Sequence, residues 1–163
     1  MTILLTTGTG KTSLAILPHL QNSQTPYLQT TRRPTAPNHV HFDWSDPATH
    51  DNPFNHPIAL ASPITAIYLV LPHTGDASEI VNGFVNQAIE KWGVKRFVMM
   101  CGSHVESGNP GGDAGDPGLV WEHLVQRGAG WGVLRCTWFM GSSSFYFIYL
   151  PLSVISLLAR HEG

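Results

Sequence analysis

Residues 2–14 constrain this chain more than any other stretch. The apolar run Thr2-Ile3-Leu4-Leu5-Thr6 passes directly into the small-residue turn Thr7-Gly8-Thr9-Gly10, and the helix-compatible Lys11-Thr12-Ser13-Leu14 follows. A strand, a tight turn and a helix in that order build an anion site. Small residues let main-chain N–H groups close on a phosphate, and the helix N-terminus adds partial positive charge. Two phosphate motifs compete for the turn. A Walker A loop requires G-x-x-x-x-G-K-[ST], and Gly10-Lys11-Thr12 supplies its end. Leu5, however, stands where the first glycine belongs, so the loop would consume its own strand. The later apolar run 66–71 also leads to Pro72 rather than to an acidic metal-holding residue. A dinucleotide-binding turn, with small residues three apart, falls on Thr7, Gly10 and Ser13. Only one of these is glycine. Thr7 is β-branched where a tight turn favours positive φ, while Ser13 is small enough for close helix–sheet packing. An ordinary strand–turn–helix with no ligand fits the same spacing.

Further along, the pattern alternates. A helix is expected over 11–21, with Pro18 kinking or ending it through the backbone hydrogen bond it cannot make. A second strand is expected over 26–31, ending at Arg32-Arg33-Pro34. Residues 34–63 are rich in Pro, Asn, Asp and His, with one short strand at 40–42 before Asp43-Trp44. The unbroken apolar, β-branched run 64–71 predicts a strand buried on both faces. Helical spacing through Ile80, Phe84, Ala88 and Ile89 predicts a helix over 78–92 with Gly93 as its C-cap. Strands at 94–100 and 132–136, a loop at 109–118 and a short helix at 119–127 complete the series. Strands alternating with helices mean a doubly wound, parallel α/β sheet of Rossmann-like type, with ligands beyond the strands' C-terminal ends.

Composition narrows the partners. The 163 residues suit one domain with an appended segment, and 42% hydrophobic residues are enough for a core. Charged residues are only 12%, about half the usual share. A net charge of −2 with no basic run leaves no electrostatic footprint for nucleic acid. Two cysteines, Cys101 and Cys136, make no disulfide framework, and residues 1–12 lack the flank and core of a signal peptide, so a reducing cytoplasmic setting is expected. Within the tail 141–163, the uncharged run 145–158 falls short of the ~20 residues a bilayer span requires, and no membrane anchor is expected.

Several stretches occur together in an order that resembles a known family. They are Leu4-Leu5-Thr6-Thr7-Gly8-Thr9-Gly10-Lys11-Thr12, Phe42-Asp43-Trp44, Val94-Lys95-Arg96-Phe97-Val98 and Val133-Leu134-Arg135-Cys136-Thr137-Trp138-Phe139-Met140. Residues 1–140 resemble the NmrA-like atypical short-chain dehydrogenases, most closely their ergot-alkaloid branch of festuclavine synthases and agroclavine dehydrogenases. The resemblance implies an NAD(P)-binding Rossmann-like domain over 1–140, incomplete at its C-terminus, because family members continue for well over a hundred residues more. It implies an NAD(P)H-dependent oxidoreductase that reduces a cyclic iminium to a clavine, a small alkaloid-type substrate. It sets the coenzyme diphosphate against Gly8, Thr9, Gly10, Lys11 and Thr12, Asp43 and Trp44 at the adenine, Leu71 and Pro72 at the far ribose, and Ser103 beside the nicotinamide. Arg32 matches the family's arginine after the second strand. Its chemistry agrees, since an acidic residue there suits ribose hydroxyls and arginine suits a 2′-phosphate. NADP is favoured, with NAD the alternative. The chain departs from the family at Thr7, Cys101 and Cys136, where Gly, Ser and Pro are usual. No Tyr-x-x-x-Lys pair is present, so no catalytic residue is assigned. An iminium is already cationic, and hydride delivery to it needs positioning rather than a general acid. A non-catalytic NAD(P)-sensing module and an inactive truncated fragment are the alternatives.

Other constellations read as structural. His39 and His41 share a strand face and His50 and His56 follow, but no cysteine or acidic residue sits at zinc spacing, so a loop of solvated histidines and no metal are expected. Asp43 also suits a turn cap after a strand. Glu122 and His123 are helix neighbours that do not face each other, and Cys101 suits a small core residue.

Overall fold

The structure is a computed structural model and describes residues 1–109 and 116–136. Thr2–Leu5 forms β1 and Lys11–Asn22 forms α1; Tyr27–Thr31 is β2 and His39–His41 is β3. Pro57–Ala61 forms the short α2, Ile64–Leu69 β4, Ala77–Glu90 α3, Arg96–Gly102 β5, Pro117–Gln126 α4 and Gly130–Cys136 β6. The six strands make one sheet in the order β3-β2-β1-β4-β5-β6, and every pairing is parallel. The chain runs outward one way through β1, β2 and β3, then restarts beside β1 and runs the other way. The switch point lies between β1 and β4, where crossovers leave a crevice above the strand ends. This is the doubly wound parallel sheet that the alternating pattern predicts.

Period-two alternation divides the strands between two apolar layers. Leu4, Leu28, Ile67, Leu69, Phe97 and Met99 face α3 and α4 and pack with Val81, Phe84, Val85, Val120 and Leu124. Ile3, Leu5, Ala66, Tyr68 and Val98 face the other way, against Ile16 and Leu20 of α1. The buried Tyr68 phenol donates to the Met100 sulfur at 3.3 Å, and desolvation pushes its pKa up to about 12.

Three local outcomes differ from expectation. Pro18 neither ends nor breaks α1, which runs through to Asn22. The carbonyl that Pro18 leaves without an intrahelical donor belongs to Leu14, a residue 48% exposed. The segment between β3 and β4 is more ordered than its composition implies. Asp46 caps a 3₁₀ turn at Pro47–Thr49 and the His56 ring caps α2, each accepting a backbone N–H. His50 is not one of a set of solvated histidines. It is 5% exposed, stacked on Phe42 at 5.0 Å, and desolvation holds its pKa below the ordinary 6.5. By contrast, Gly93 closes α3 as its sequence position predicts. With φ at +68°, it lets the N–H groups of Gly93 and Val94 reach back to the Ile89 and Ala88 carbonyls.

The loop that carries His50 is fastened to α3 by the next residue. Asp51 accepts from Gln87 Nε2 at 2.7 Å, Trp92 Nε1 at 3.0 Å and Lys91 Nζ at 2.6 Å. Those donors, Lys91 first, hold its carboxyl below the usual carboxylate range. Three residues on, Phe54 stacks on Trp92 with ring centroids 4.9 Å apart.

Candidate coenzyme site

At the C-terminal ends of β1, β2 and β4 the switch point opens into a cleft of about 1320 Å³. The residues that compose it come from five places, one of them the start of α3, which supplies Asp76 and Ile80. The turn after β1 supplies Thr6, Thr7 and Thr9; the end of β2 supplies Thr30, Thr31, Arg32 and Arg33. The segment after β3 supplies Phe42 to Ser45, and the segment after β4 supplies Pro72, His73 and Thr74.

The turn achieves its shape without left-handed backbone. Among the described residues, positive φ occurs only at Gln24, Gly93, Gly108, Asp116 and Gly128, so Thr7 fits without strain. Thr6 anchors the start, donating its hydroxyl to the Tyr68 carbonyl at 3.0 Å and accepting from Val70 N–H at 3.1 Å. Gly8 is held flat on β2: its N–H donates to the Thr30 carbonyl at 3.0 Å and its carbonyl accepts from Gln29 Nε2 at 2.6 Å. A side chain would not fit there, since a Cβ on Gly8 would lie 2.4 Å from Gln29 Cβ. The Gly10 N–H turns back to the Thr7 carbonyl at 2.7 Å. Gly8 and Gly10 therefore shape the turn and do not offer it donors, a narrower role than the family resemblance implies.

Donors begin where the helix begins. Gly10 is the N-cap of α1 with no side-chain cap, and Leu14 N–H is the first to bond back, to the Gly10 carbonyl at 2.9 Å. The amides of Lys11, Thr12 and Ser13 thus stand in the helix's first turn without intrahelical acceptors, at the positive end of its dipole. Ser13 is fully buried against the sheet, the close packing its size allows.

Three charged residues flank the far end. Arg32 and Arg33 are exposed on the rim, and Asp43 sits across from them. The Asp43 carboxylate accepts from Ser45 Oγ at 2.7 Å and Ser45 N–H at 3.0 Å. Those two bonds hold its pKa down, with Arg32 adding attraction. Asp43 is thus a turn cap and also a lining residue of the cleft. Trp44 stands on an aromatic base: its ring centroid is 4.9 Å from Phe42 and 5.3 Å from Phe84.

Of the residues singled out from sequence, Thr9, Arg32, Asp43, Trp44 and Pro72 line this cleft, and Gly8, Gly10, Lys11 and Thr12 form the turn and helix start at its base. Leu71 is half-buried against the α3-side core. Ser103 follows β5, two strands from β1. Its N–H donates to the Cys136 carbonyl at 2.9 Å and its carbonyl accepts from Arg135. Thr30 and Thr31, which line the cleft, and Gln29 beneath the turn carry no sequence signal, because only the register of β2 against β1 brings them there; His73 arrives separately, from the segment after β4. Cys101 is a core residue whose buried thiol is pushed up to about 11. His123 meets Asn86 at 2.8 Å. Among the described residues no group of three or more His, Cys, Asp or Glu is placed to hold a metal, and no helix is long and apolar enough to cross a membrane. The Thr137-Trp138-Phe139-Met140 stretch, the tail 141–163 and part of the 109–118 loop lie outside the described residues.

Comparison with known proteins agrees with this architecture. No protein-family model matches the chain. It is 36% identical over 148 residues to an agroclavine dehydrogenase of Claviceps fusiformis, covering 88% of this chain and 49% of that protein. It is also 36% identical over 148 residues to festuclavine synthase I of Penicillium roqueforti, covering 86% and 48% respectively. Among solved structures it resembles a short-chain dehydrogenase/reductase superfamily protein from Agrobacterium tumefaciens with bound NAD, at a TM-score of 0.59 and 19% identity over 83% of this chain and 48% of that one. Gre2 from Candida albicans, in complex with NADPH, gives a TM-score of 0.61 at 11% identity over 85% and 58%. The chain spans about half the length of the curated relatives it matches. On a Rossmann-like sheet, with sequence kinship along most of its length, this chain belongs to the same family as the agroclavine dehydrogenases and festuclavine synthases.

Proposed function

We propose that the chain binds a nicotinamide dinucleotide, NADP in preference to NAD, as the coenzyme domain (residues 1–140) of an NAD(P)H-dependent oxidoreductase. The substrate class is a cyclic iminium of the clavine, ergot-alkaloid type, and the setting cytoplasmic. One observation carries the reading: a single cleft runs from Thr7 and Thr9, in the turn that leads into the uncapped N-terminus of α1, to the arginine pair at the end of β2. The first supports a diphosphate and the second a ribose 2′-phosphate. The residues fit the group. The turn leaves no room for a side chain at Gly8, the first-turn amides are open, and Trp44 offers an apolar wall at the adenine end.

When bound, the coenzyme supplies hydride. The chain's own residues bind and orient it: the amides of residues 11–13 take the diphosphate, Arg32 the 2′-phosphate, and Asp43 and Trp44 the adenine. Fluorescence titration of the purified chain with NADPH is expected to show saturable enhancement of nicotinamide emission. A flat titration with both NADPH and NADH would sink the coenzyme reading. Loss of absorbance at the reduced-coenzyme band on adding a cyclic iminium supports turnover, whereas binding without turnover favours a coenzyme-sensing role.

Arg32→Ala tests the coenzyme preference. A hydrogen bond to a charged group contributes about 1.5–3 kcal/mol, and about 1.4 kcal/mol is tenfold in affinity. NADPH binding is therefore expected to weaken at least about tenfold with NADH binding little changed. Equal weakening of both coenzymes would remove the 2′-phosphate role.

A further inference from the structure

We propose that Gln29 is the positioning residue of the phosphate turn, aiming the Thr9 amide into the cleft; this rests on the coenzyme reading above. Gln29 lies in the middle of β2 and is 4% exposed, an unusual place for a primary amide. Burying such a group is unfavourable unless its bonds are made, and here both ends are engaged. Nε2 donates to the Gly8 carbonyl at 2.6 Å, and Oε1 accepts from Asn38 Nδ2 at 3.0 Å. Asn38 is itself fixed by its carbonyl, which accepts from Gln29 N–H at 2.9 Å. A closed pair of side chains thus fixes the orientation of one peptide in the turn.

Peptide planarity turns that bond into aim. In a trans peptide the C=O and the N–H of the next residue point in opposite directions. The preceding peptide shows the effect. Gly8 N–H points to Thr30 on β2, and the Thr7 carbonyl of the same peptide points away, to Gly10 N–H. By the same geometry, drawing the Gly8 carbonyl onto Gln29 sends the Thr9 N–H away from β2, and Thr9 lines the cleft. Gln29 therefore adds one diphosphate donor ahead of the three in the first turn of α1. Its own side chain touches no ligand.

Two variants test this through coenzyme affinity, measured at two pH values. Gln29→Met removes the donor at similar volume. It is expected to weaken NADPH about tenfold, the effect of a lost charged hydrogen bond, and to leave 2′-AMP, which has no diphosphate, unchanged. Gln29→Glu makes the effect switchable. Its protonated carboxyl can donate to the Gly8 carbonyl, while its carboxylate repels it. Relative to wild type at the same pH, which cancels the titration of the coenzyme's own 2′-phosphate, affinity for NADPH is expected to be nearly unchanged at about pH 5.5 and about tenfold weaker at about pH 8. A purely structural Gln29 would lower the melting temperature while leaving the ratio of NADPH to 2′-AMP affinity unmoved at both pH values. That result, with wild type binding NADPH, overturns the proposal. Failure of wild type to bind either coenzyme instead overturns the coenzyme reading beneath it.

Discussion

Gly8→Ala is expected to abolish the shape of the phosphate turn, lowering the unfolding free energy by about 1–3 kcal/mol and weakening NADPH at least about tenfold. The cause is not backbone freedom, since Gly8 does not use positive φ. It is contact. The added Cβ would lie 2.4 Å from Gln29 Cβ, 2.7 Å from its Cα and 2.9 Å from its carbonyl carbon. Two of those atoms are main chain in the middle of the sheet and cannot swing aside. The turn must therefore lift off β2, which breaks the Gly8–Thr30 and Gln29–Gly8 hydrogen bonds together. Gly75→Ala is the control, because nothing lies within 4 Å of a Cβ there. Chemical denaturation and NADPH titration of the two variants check the expectation, and indistinguishable behaviour would refute it.

The largest loss of stability is expected from Phe84→Ala. Phe84 is 1% exposed, and four ring centroids surround it: Trp44 at 5.3 Å, Phe42 at 5.4 Å, His50 at 5.6 Å and Phe54 at 6.1 Å. Removing a buried phenyl ring costs about 3–5 kcal/mol, a large part of the ~5–15 kcal/mol that holds a domain together. The effect reaches the site because Phe42 and Trp44 line the cleft. With their backing gone, this wall of the cleft relaxes toward the void, and NADPH binding is expected to weaken as well as stability falling. Urea unfolding gives the first effect and fluorescence titration the second. A stability loss under about 1 kcal/mol would show that the cluster collapses to fill the hole.

Both residues mark how far local sequence pattern reaches. Element order was legible because period and punctuation are local: the run 64–71, the helical spacing through Phe84 and the Gly93 cap each depend on residues a few positions apart. The turn between β1 and α1 is legible as a place, since its glycines and threonines stand between an apolar run and a helix-compatible stretch. Its workings are not. Gly8 and Gln29 are 21 residues apart in sequence, and only parallel pairing of β1 with β2 brings them into contact. His50 departs from its sequence expectation for the same reason. A histidine among Asp, Pro and Asn looks solvated until α3 supplies Phe84 beneath it. Pro18 does not end α1, because its penalty depends on what surrounds the orphaned carbonyl, which sequence alone does not record.

The three-donor grip on Asp51 bears on how a ligand would arrive. Because Gln87, Lys91 and Trp92 rivet that carboxylate to one helix end, the preceding residue, His50, is held against the Trp44 indole of the cleft, its ring 5.9 Å away, before anything docks. A guest entering there need freeze few host torsions, so association should be quick and its entropy toll small. Loosening the rivet would slow capture and leave the final bound pose as it was.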